Sequence, residues 1–191
     1  MRFEYFTGPE SEMSDFVGEA ICSLCRRSGP CFSLASVIVA SLAEEDKETA
    51  VGCCGCLAKG LFSFWHDTEI GMLDQRGLRK FYNHHREPPP SFRPAAIVAL
   101  QQTPQYTTWQ QETWLVHCDD FMVYEGTWGP QDFRLHAPDG DGRSLFLGMT
   151  DEMSHLWDQS IESAEQAEWY AAYYVFRCRH CSKRRGNWDC P

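Results

Sequence analysis

The chain has 191 residues and a formal charge of −10, from 17 basic and 27 acidic side chains. With 43% hydrophobic and 14% aromatic residues it is not a disordered chain, and its length allows one compact domain or two small ones. The acidic balance argues against a general nucleic-acid binder, which must displace phosphate counterions with cations, and it suits a basic protein partner.

Met1 to Phe6 shows no basic segment leading into an apolar one, so no secretory signal is expected. The longest apolar stretch, Ser33 to Ala43, falls far short of the roughly 20 residues of a membrane span. A cytoplasmic, reducing location is therefore expected, where paired cysteines bind metal more often than they bridge.

Phe3 to Phe6 reads as a short aromatic strand or an ordered arm, stopped by Gly8-Pro9. Cys22-x-x-Cys25 forms a first knuckle, and Arg26 to Pro30 turns the chain. The Val-, Ile- and Phe-containing run from Cys31 to Leu42 predicts a strand. Ala43 to Thr49 is charged and predicts a surface connection. Cys53-x-x-Cys56 then opens a short helical segment toward Trp65, with Gly60 as its weak point. A knuckle, strands and a CxxC at a helix start follow the order of a treble-clef metal fold, whose helix N–H groups ease the thiolate charge.

The Pro-rich stretch Arg86 to Pro94 excludes regular helix and central strand. It is the best internal boundary, dividing a metal-bearing part (1–86) from a second part (95–191) that can also join it in one compact unit. Ala95 to Gln101 predicts a strand. Leu115 to Cys118 and Phe121 to Tyr124 are short apolar stretches around the acidic step Asp119-Asp120. Ala137 to Gly142 reads as a hairpin turn. Thr150 to Ala172 is the strongest helical segment: Met153, Leu156, Trp157 and Ile161 share a face, and Thr150 or Asp151 caps it. Tyr173 to Arg177 predicts a strand into a second knuckle, Cys178-x-x-Cys181. The expected class is α+β: small mixed domains built around treble-clef or zinc-ribbon-like cysteine knuckles.

Cys22, Cys25, Cys53 and Cys56 are the expected ligands of a structural zinc, because two CxxC pairs supply the four thiolates of a closed tetrahedron. Cys54 lies inside the second pair but breaks the CxxC spacing. A second set consists of Cys118, Cys178 and Cys181, with His117, His180 and Cys190 as candidates for a fourth ligand.

Several motifs carry a family resemblance. They are Phe3-x-Tyr5-Phe6 with Pro9, the first CxxC, and Cys53-x-x-Cys56-Leu57-Ala58-x-Gly60. The most specific is Thr103-Pro104-x-Tyr106-x-x-Trp109-Gln110-x-x-x-Trp114-x-x-His117-Cys118-x-Asp120. Gly126 and Phe176-Arg177-Cys178-x-His180-Cys181 complete the set. Over nearly its whole length the chain resembles the CbrC family of small bacterial proteins. The resemblance implies a soluble protein, linked to colicin tolerance, that binds zinc through two cysteine sets. It also implies that the second set is completed by a cysteine four residues after Cys118, where this chain carries Met122.

His117-Cys118 with Asp119-Asp120 is the best candidate for catalytic chemistry, but neighbours on a strand point to opposite faces and Cys118 is better used as a ligand. His84-His85 reads as a surface pair and His66-Asp67 as a cap or ion pair. Most of Tyr106, Trp109, Trp114, Trp128, Trp157, Trp169 and Tyr170 are expected in the core, and Lys183-Arg184-Arg185 in a solvated tail. The expected function is a zinc-stabilised, non-catalytic protein-binding module, an immunity-type protein that neutralises a bacterial toxin by docking on a basic toxin domain. No nucleic-acid or membrane partner is expected. A metal-dependent enzyme and a cytosolic zinc store or sensor are the alternatives.

Overall fold

Phe16–Ile21 (β1) and Ser28–Ser33 (β2) pair antiparallel with Ile21 opposite Ser28, and the first cysteine knuckle forms the loop between them. Val51–Cys53 (β3) adds to the other edge of β2 and sets Cys53 opposite Cys31. The single helical turn Glu44–Lys47 (α1) precedes β3, and a second turn, Cys54–Leu57 (α2), follows it directly. His66–Thr68 (β4), Gly71–Asp74 (β5) and Gly77–Arg79 (β6) make an antiparallel meander. The helix Pro94–Gln101 (α3) then leads to a small hairpin, Val116–His117 (β7) with Asp120–Phe121 (β8). Val123–Thr127 (β9), Ala172–Arg177 (β10) and Arg184–Asp189 (β11) form the last sheet, with β10 central. The helices Pro130–His136 (α4) and Gly142–Met149 (α5) fall between β9 and β10 in sequence. The computed structural model describes residues 2–74, 77–79, 92–149, 157–158 and 171–190. The expected α+β class, with small sheets around cysteine knuckles, is the one observed.

The core is aromatic. The Tyr106 ring lies 4.7 Å from Tyr124, 4.9 Å from Tyr174, 5.4 Å from Phe176 and 5.7 Å from Trp114, centre to centre. One buried cluster combines Tyr5, Phe32 and Phe64 with Trp114, Tyr124 and Phe176, so residues on both sides of the Pro-rich stretch pack together. β10 is buried on both faces: Tyr174 and Phe176 enter this cluster, while Tyr173 and Val175 meet Trp128, Phe133, Phe146 and Trp157 in a second one. The N-terminal arm lies along β9, with Thr7 N–H donating to Tyr124 O at 2.9 Å and Tyr124 N–H to Tyr5 O at 2.8 Å.

Several local expectations change. Residues 95–101 are helical, not extended, because Pro94 occupies the first helical position without losing a bond, and Ala95, Ala96, Ala99 and Leu100 are strong helix formers. β2 stops at Ser33. The apolar run beyond it packs as irregular chain with Leu34, Val37 and Val39 buried, its backbone tied to Ala50 and Ser63. α2 ends at Leu57, before Gly60, which takes a φ of +67°. The Asp139–Gly142 turn joins α4 to α5 and no hairpin. Lys183-Arg184-Arg185 leads into β11 and is no free tail: Arg184 pairs with Glu125 and Arg185 with Glu69. His84-His85, most of the Pro-rich stretch, Trp169-Tyr170 and nearly all of the helix expected over 150–172 lie outside the described residues. Among the described residues no helix is long and apolar enough to cross a membrane.

His66 is fully buried. Its Nε2 donates to Thr103 O at 3.1 Å, and its Nδ1 lies 2.7 Å from Glu112 Oε1. A carbonyl can only accept, so the proton shared with Glu112 sits on either partner. Burial pushes the Glu112 carboxyl above its ordinary range, against the pull of His66.

Candidate metal centres

The first centre is assembled by three backbone devices. In the knuckle, Arg26 N–H donates to Cys22 O and Cys22 N–H to Arg27 O, both at 2.9 Å, with Arg26 left-handed at φ 62°. β3 delivers Cys53, and the α2 turn delivers Cys56. The Cys53 N–H points at Cys22 Sγ, 3.3 Å away. The Sγ atoms of Cys22, Cys25, Cys53 and Cys56 all lie within 4.8 Å of one another. Cys22 to Cys56 is 3.7 Å and Cys25 to Cys53 is 3.6 Å. A tetrahedral ion about 2.3 Å from each sulfur sets S···S edges of about 3.8 Å, so the cage fits such an ion. A disulfide needs about 2.05 Å, and all ten cysteines are free thiols. Cys54, which sits between the ligand pair, is not part of the cage.

Burial raises the Cys22 thiol, but the N–H groups of Cys53, Cys25 and Leu24 outweigh it and bring the thiol down to about 6. Cys31 is a bystander: its Sγ faces Ala20 O, and burial pushes its thiol up to about 11.

The second centre repeats the knuckle at the tip of the β10–β11 hairpin. Ser182 N–H donates to Cys178 O at 3.0 Å and Cys178 N–H to Lys183 O at 2.8 Å, with Ser182 at φ 60°. The other half comes from the β7–β8 hairpin. Its two central residues, Cys118 and Asp119, have φ of 53° and 54°, the signature of a type I′ turn. This turn overturns the expectation that His117 and Cys118 face opposite sides. His117 Nδ1 lies 3.1 Å from Cys118 Sγ and 3.4 Å from Cys181 Sγ, and the two sulfurs are 3.9 Å apart. His117, Cys118, Cys178 and Cys181 thus form a second group able to hold a metal ion.

His117 is therefore the fourth donor among the three candidates. His180 Nε2 turns instead to Asp120 Oδ2 at 2.8 Å, and the Cys190 carbonyl accepts from Gln110 Nε2 at 3.0 Å. The position of the cysteine implied by the family resemblance is closed to metal: Met122 is fully buried, and its carbonyl accepts the Trp114 indole N–H at 2.8 Å. The two centres differ in exposure. Cys22 and Cys56 are buried, whereas Cys118 and Cys181 are exposed.

Behind the second centre stands Asp120, a buried carboxylate with four donors. Oδ1 accepts from Tyr5 Oη at 2.6 Å and Phe121 N–H at 3.0 Å. Oδ2 accepts from Arg93 Nη2 at 2.7 Å and His180 Nε2 at 2.8 Å. Burial opposes its charge, but the bonds from Tyr5 and His180 and the Arg93 charge prevail and hold it below the usual carboxylate range. Asp120 thereby ties the N-terminal arm, the start of α3 and the second knuckle together.

Sequence reasoning left His117 as one of three candidates and missed two pairs, His66–Glu112 and Glu69–Arg185. The last is bidentate at 2.6 and 2.8 Å and also holds both polar groups of Val116. The signal for His117 was present. Two apolar runs separated by two residues, one of them Asp, mark a tight hairpin, and Asp tolerates a positive φ. The two missed pairs join residues 46 and 116 positions apart, which no local pattern reveals.

A UPF0167 protein of Pseudomonas aeruginosa is 28% identical over 93 residues, which make up 47% of this chain. The match spans about half (48%) of that curated relative's length. No solved structure matches. The family model described as "Uncharacterised protein family (UPF0167)" matches residues 1–190, and the chain belongs to that family.

Proposed function

We propose that this UPF0167 member is a zinc-stabilised, non-catalytic binding module that engages a basic protein. The observation that carries the reading is that each cysteine group brings four protein donor atoms within 4.8 Å of one another. A filled shell leaves no coordination position for a reacting water, which is the arrangement of structural and not catalytic zinc. Thiolate and imidazole donors favour zinc over hard cations. The charge of −10 supports a basic partner and opposes a nucleic acid.

The narrowest form of this reading is immunity to a bacterial toxin. It rests on the resemblance to the CbrC family. Metal analysis of protein purified under reducing conditions is expected to give two zinc ions per chain. After cobalt substitution, spectra are expected to show one all-sulfur and one sulfur–nitrogen tetrahedral centre. A cobalt site with an exchangeable water would overturn the non-catalytic reading. Co-expression with a toxin domain encoded beside the gene tests immunity, and the absence of both protection and complex refutes it.

One observation favours a second reading, a zinc store or sensor. Cys118 and Cys181 are exposed, so the second ion is open to competing ligands. Under that reading the second zinc exchanges at free-zinc levels far below those that empty the first. Retention of both ions against strong chelators until the fold melts excludes it.

A further inference from the structure

The second metal centre draws its donors from two separate turns. His117 and Cys118 come from the β7–β8 turn, and Cys178 and Cys181 from the β10–β11 knuckle. An ion held by all four would bridge those turns. A hydrogen bond already spans the same gap: His180, between the two knuckle thiols, directs Nε2 to Oδ2 of Asp120, just past Cys118, at 2.8 Å. Ion and hydrogen bond therefore close one gap together, and each lowers the cost of forming the other.

The two residues between the knuckle thiols both hold the N-terminal arm. Arg179 pairs with Glu4, and its guanidinium carbon stands 5.3 Å from the centre of the Tyr5 ring. His180 reaches the arm through Asp120, whose Oδ1 accepts Tyr5 Oη at 2.6 Å. Tyr5 is fully buried, so its hydroxyl has no water to replace that acceptor. The arm lies on rings from separate parts of the chain: Phe3 on Phe32 at 6.1 Å, Tyr5 on Phe121 at 5.7 Å and Phe6 on Tyr124 at 4.9 Å, centre to centre. Its backbone is tied to Tyr124 by the two bonds of Thr7 N–H and Tyr5 O. Any loosening of the knuckle against the β7–β8 turn thus acts on residues 3–7 through Glu4 and Tyr5.

We propose that Arg179, His180 and Asp120 couple occupancy of the second metal centre to docking of the N-terminal arm, which holds tightly when the four donors carry an ion and loosens when they do not. The proposal rests on the zinc-sensor reading above and gives that sensor an output. The exposed thiols Cys118 and Cys181 are where the ion enters and leaves, and the buried carboxylate carries the change inward. His180 is a positioning residue here and no ligand. Coupling is mutual, so a weaker hold of the arm on Asp120 weakens the second ion by the same factor.

Amide hydrogen exchange of the full chain reads the arm directly, with both zinc ions bound and after a chelator has removed the second. Protection of the Tyr124 and Thr7 N–H groups is expected to fall about tenfold, while Ala137 N–H, bonded to Phe133 O at the end of α4, keeps its protection. Cys181→Ser, which lacks one exposed thiol, gives the same comparison without a chelator. Unchanged protection of Tyr124 and Thr7 overturns the proposal. The converse measurement is the affinity for the second ion by chelator competition. His180→Ala is expected to weaken it about tenfold and Tyr5→Phe about threefold, with the first ion unaffected in both. His180→Gln keeps an N–H for Asp120 and is expected to restore most of the affinity. Equal weakening of both ions marks a general loss of stability, and a zinc-to-protein ratio lowered by one in His180→Ala makes His180 a ligand; either result overturns the proposal. The two readings fail separately. An ion that no chelator removes before the fold melts ends the sensor reading and leaves Cys181→Ser to decide the coupling, whereas an exchanging ion above a static arm ends the coupling alone.

Discussion

Replacing Asp120 by alanine is expected to destabilise the metal-loaded protein by about 2–4 kcal/mol. The figure follows from what each donor does once the carboxylate is gone. Arg93 and His180 have side chains 54% and 47% exposed, so both turn to water at little cost. Tyr5 and Phe121 are 0% and 1% exposed, and their O–H and N–H have no such recourse. Each stranded donor costs about 1–3 kcal/mol, partly offset because the variant no longer buries a charge. With a urea slope of about 2 kcal/mol/M, the unfolding midpoint falls by about 1–2 M at unchanged slope. Arg93→Ala is the internal control. It removes the exposed half of the same network and is expected to cost at most about 1 kcal/mol. If the two variants shift the midpoint equally, the reasoning fails, because the network then acts through surface charge and not through buried donors.

His117→Ala is expected to lower the zinc-to-protein ratio by one ion, whereas Met122→Cys leaves it unchanged because that side chain faces the core; elemental analysis of both variants decides. Glu112 titrates above its unfolded value, so the native state binds more protons and stability falls as pH rises from about 4.3 towards the raised folded value. The melting temperature of Glu112→Gln relative to the parent therefore increases across that window and then levels, and a relative decrease refutes the assignment. Gly186→Ala sets a Cβ about 2.4 Å from the Tyr173 ring and is expected to cost about 1–3 kcal/mol, or about 2–10 °C by calorimetry. Cys25→Ser is expected to abolish cooperative unfolding of the first sheet, while Cys181→Ser leaves a folded protein with one zinc; circular dichroism melts separate the two.

The cysteine framework was legible because CxxC spacing carries its own geometry: two thiolates three residues apart are presented by one tight turn. The strand from Tyr173 to Arg177 was legible for a local reason as well, an aromatic run leading directly into a knuckle. The helix over Pro94–Gln101 was not, since eight residues with Ile97 and Val98 among alanines show neither strict alternation nor a helical stripe. What decides that segment is Pro94 at its start and the packing of Ala96 and Leu100 inside the core. The basic run at Lys183 misled because charge was read without partners. Glu69 and Glu125, distant in sequence, convert Arg185 and Arg184 from solvated groups into fixed parts of a strand. His117 was named among three candidates but not singled out, because the apolar runs on either side of Cys118-Asp119 were not paired as a tight hairpin, whose turn at φ 53–54° brings the imidazole beside the thiols.

The two knuckle hairpins share one measure. Six residues of strand, six of loop and six of strand run from Phe16 to Ser33 and again from Ala172 to Asp189, with the closing pairs Ile21–Ser28 and Arg177–Arg184 in the same register. The completing ligands do not repeat. The first hairpin takes Cys53 and Cys56 from chain that follows it, and the second takes His117 and Cys118 from chain that precedes it. The repeated unit is therefore the hairpin with its own pair of thiolates and not a whole domain. This explains why the sequence shows two similar CxxC motifs but no longer repeat. Packing differs as well. β1 has no fully buried residue and leaves Val17 and Ile21 in solvent, whereas β10 buries four consecutive residues between two aromatic clusters. The β1–β2 hairpin draws its packing from β3 and from Cys31 and Phe32, which β2 buries in the main core. An ion held by the first group would therefore add folding energy where the first strand is least buried, and that group is the more deeply buried of the two. The second hairpin is held by its own buried strand, so loss of an ion from its exposed group would leave that packing in place.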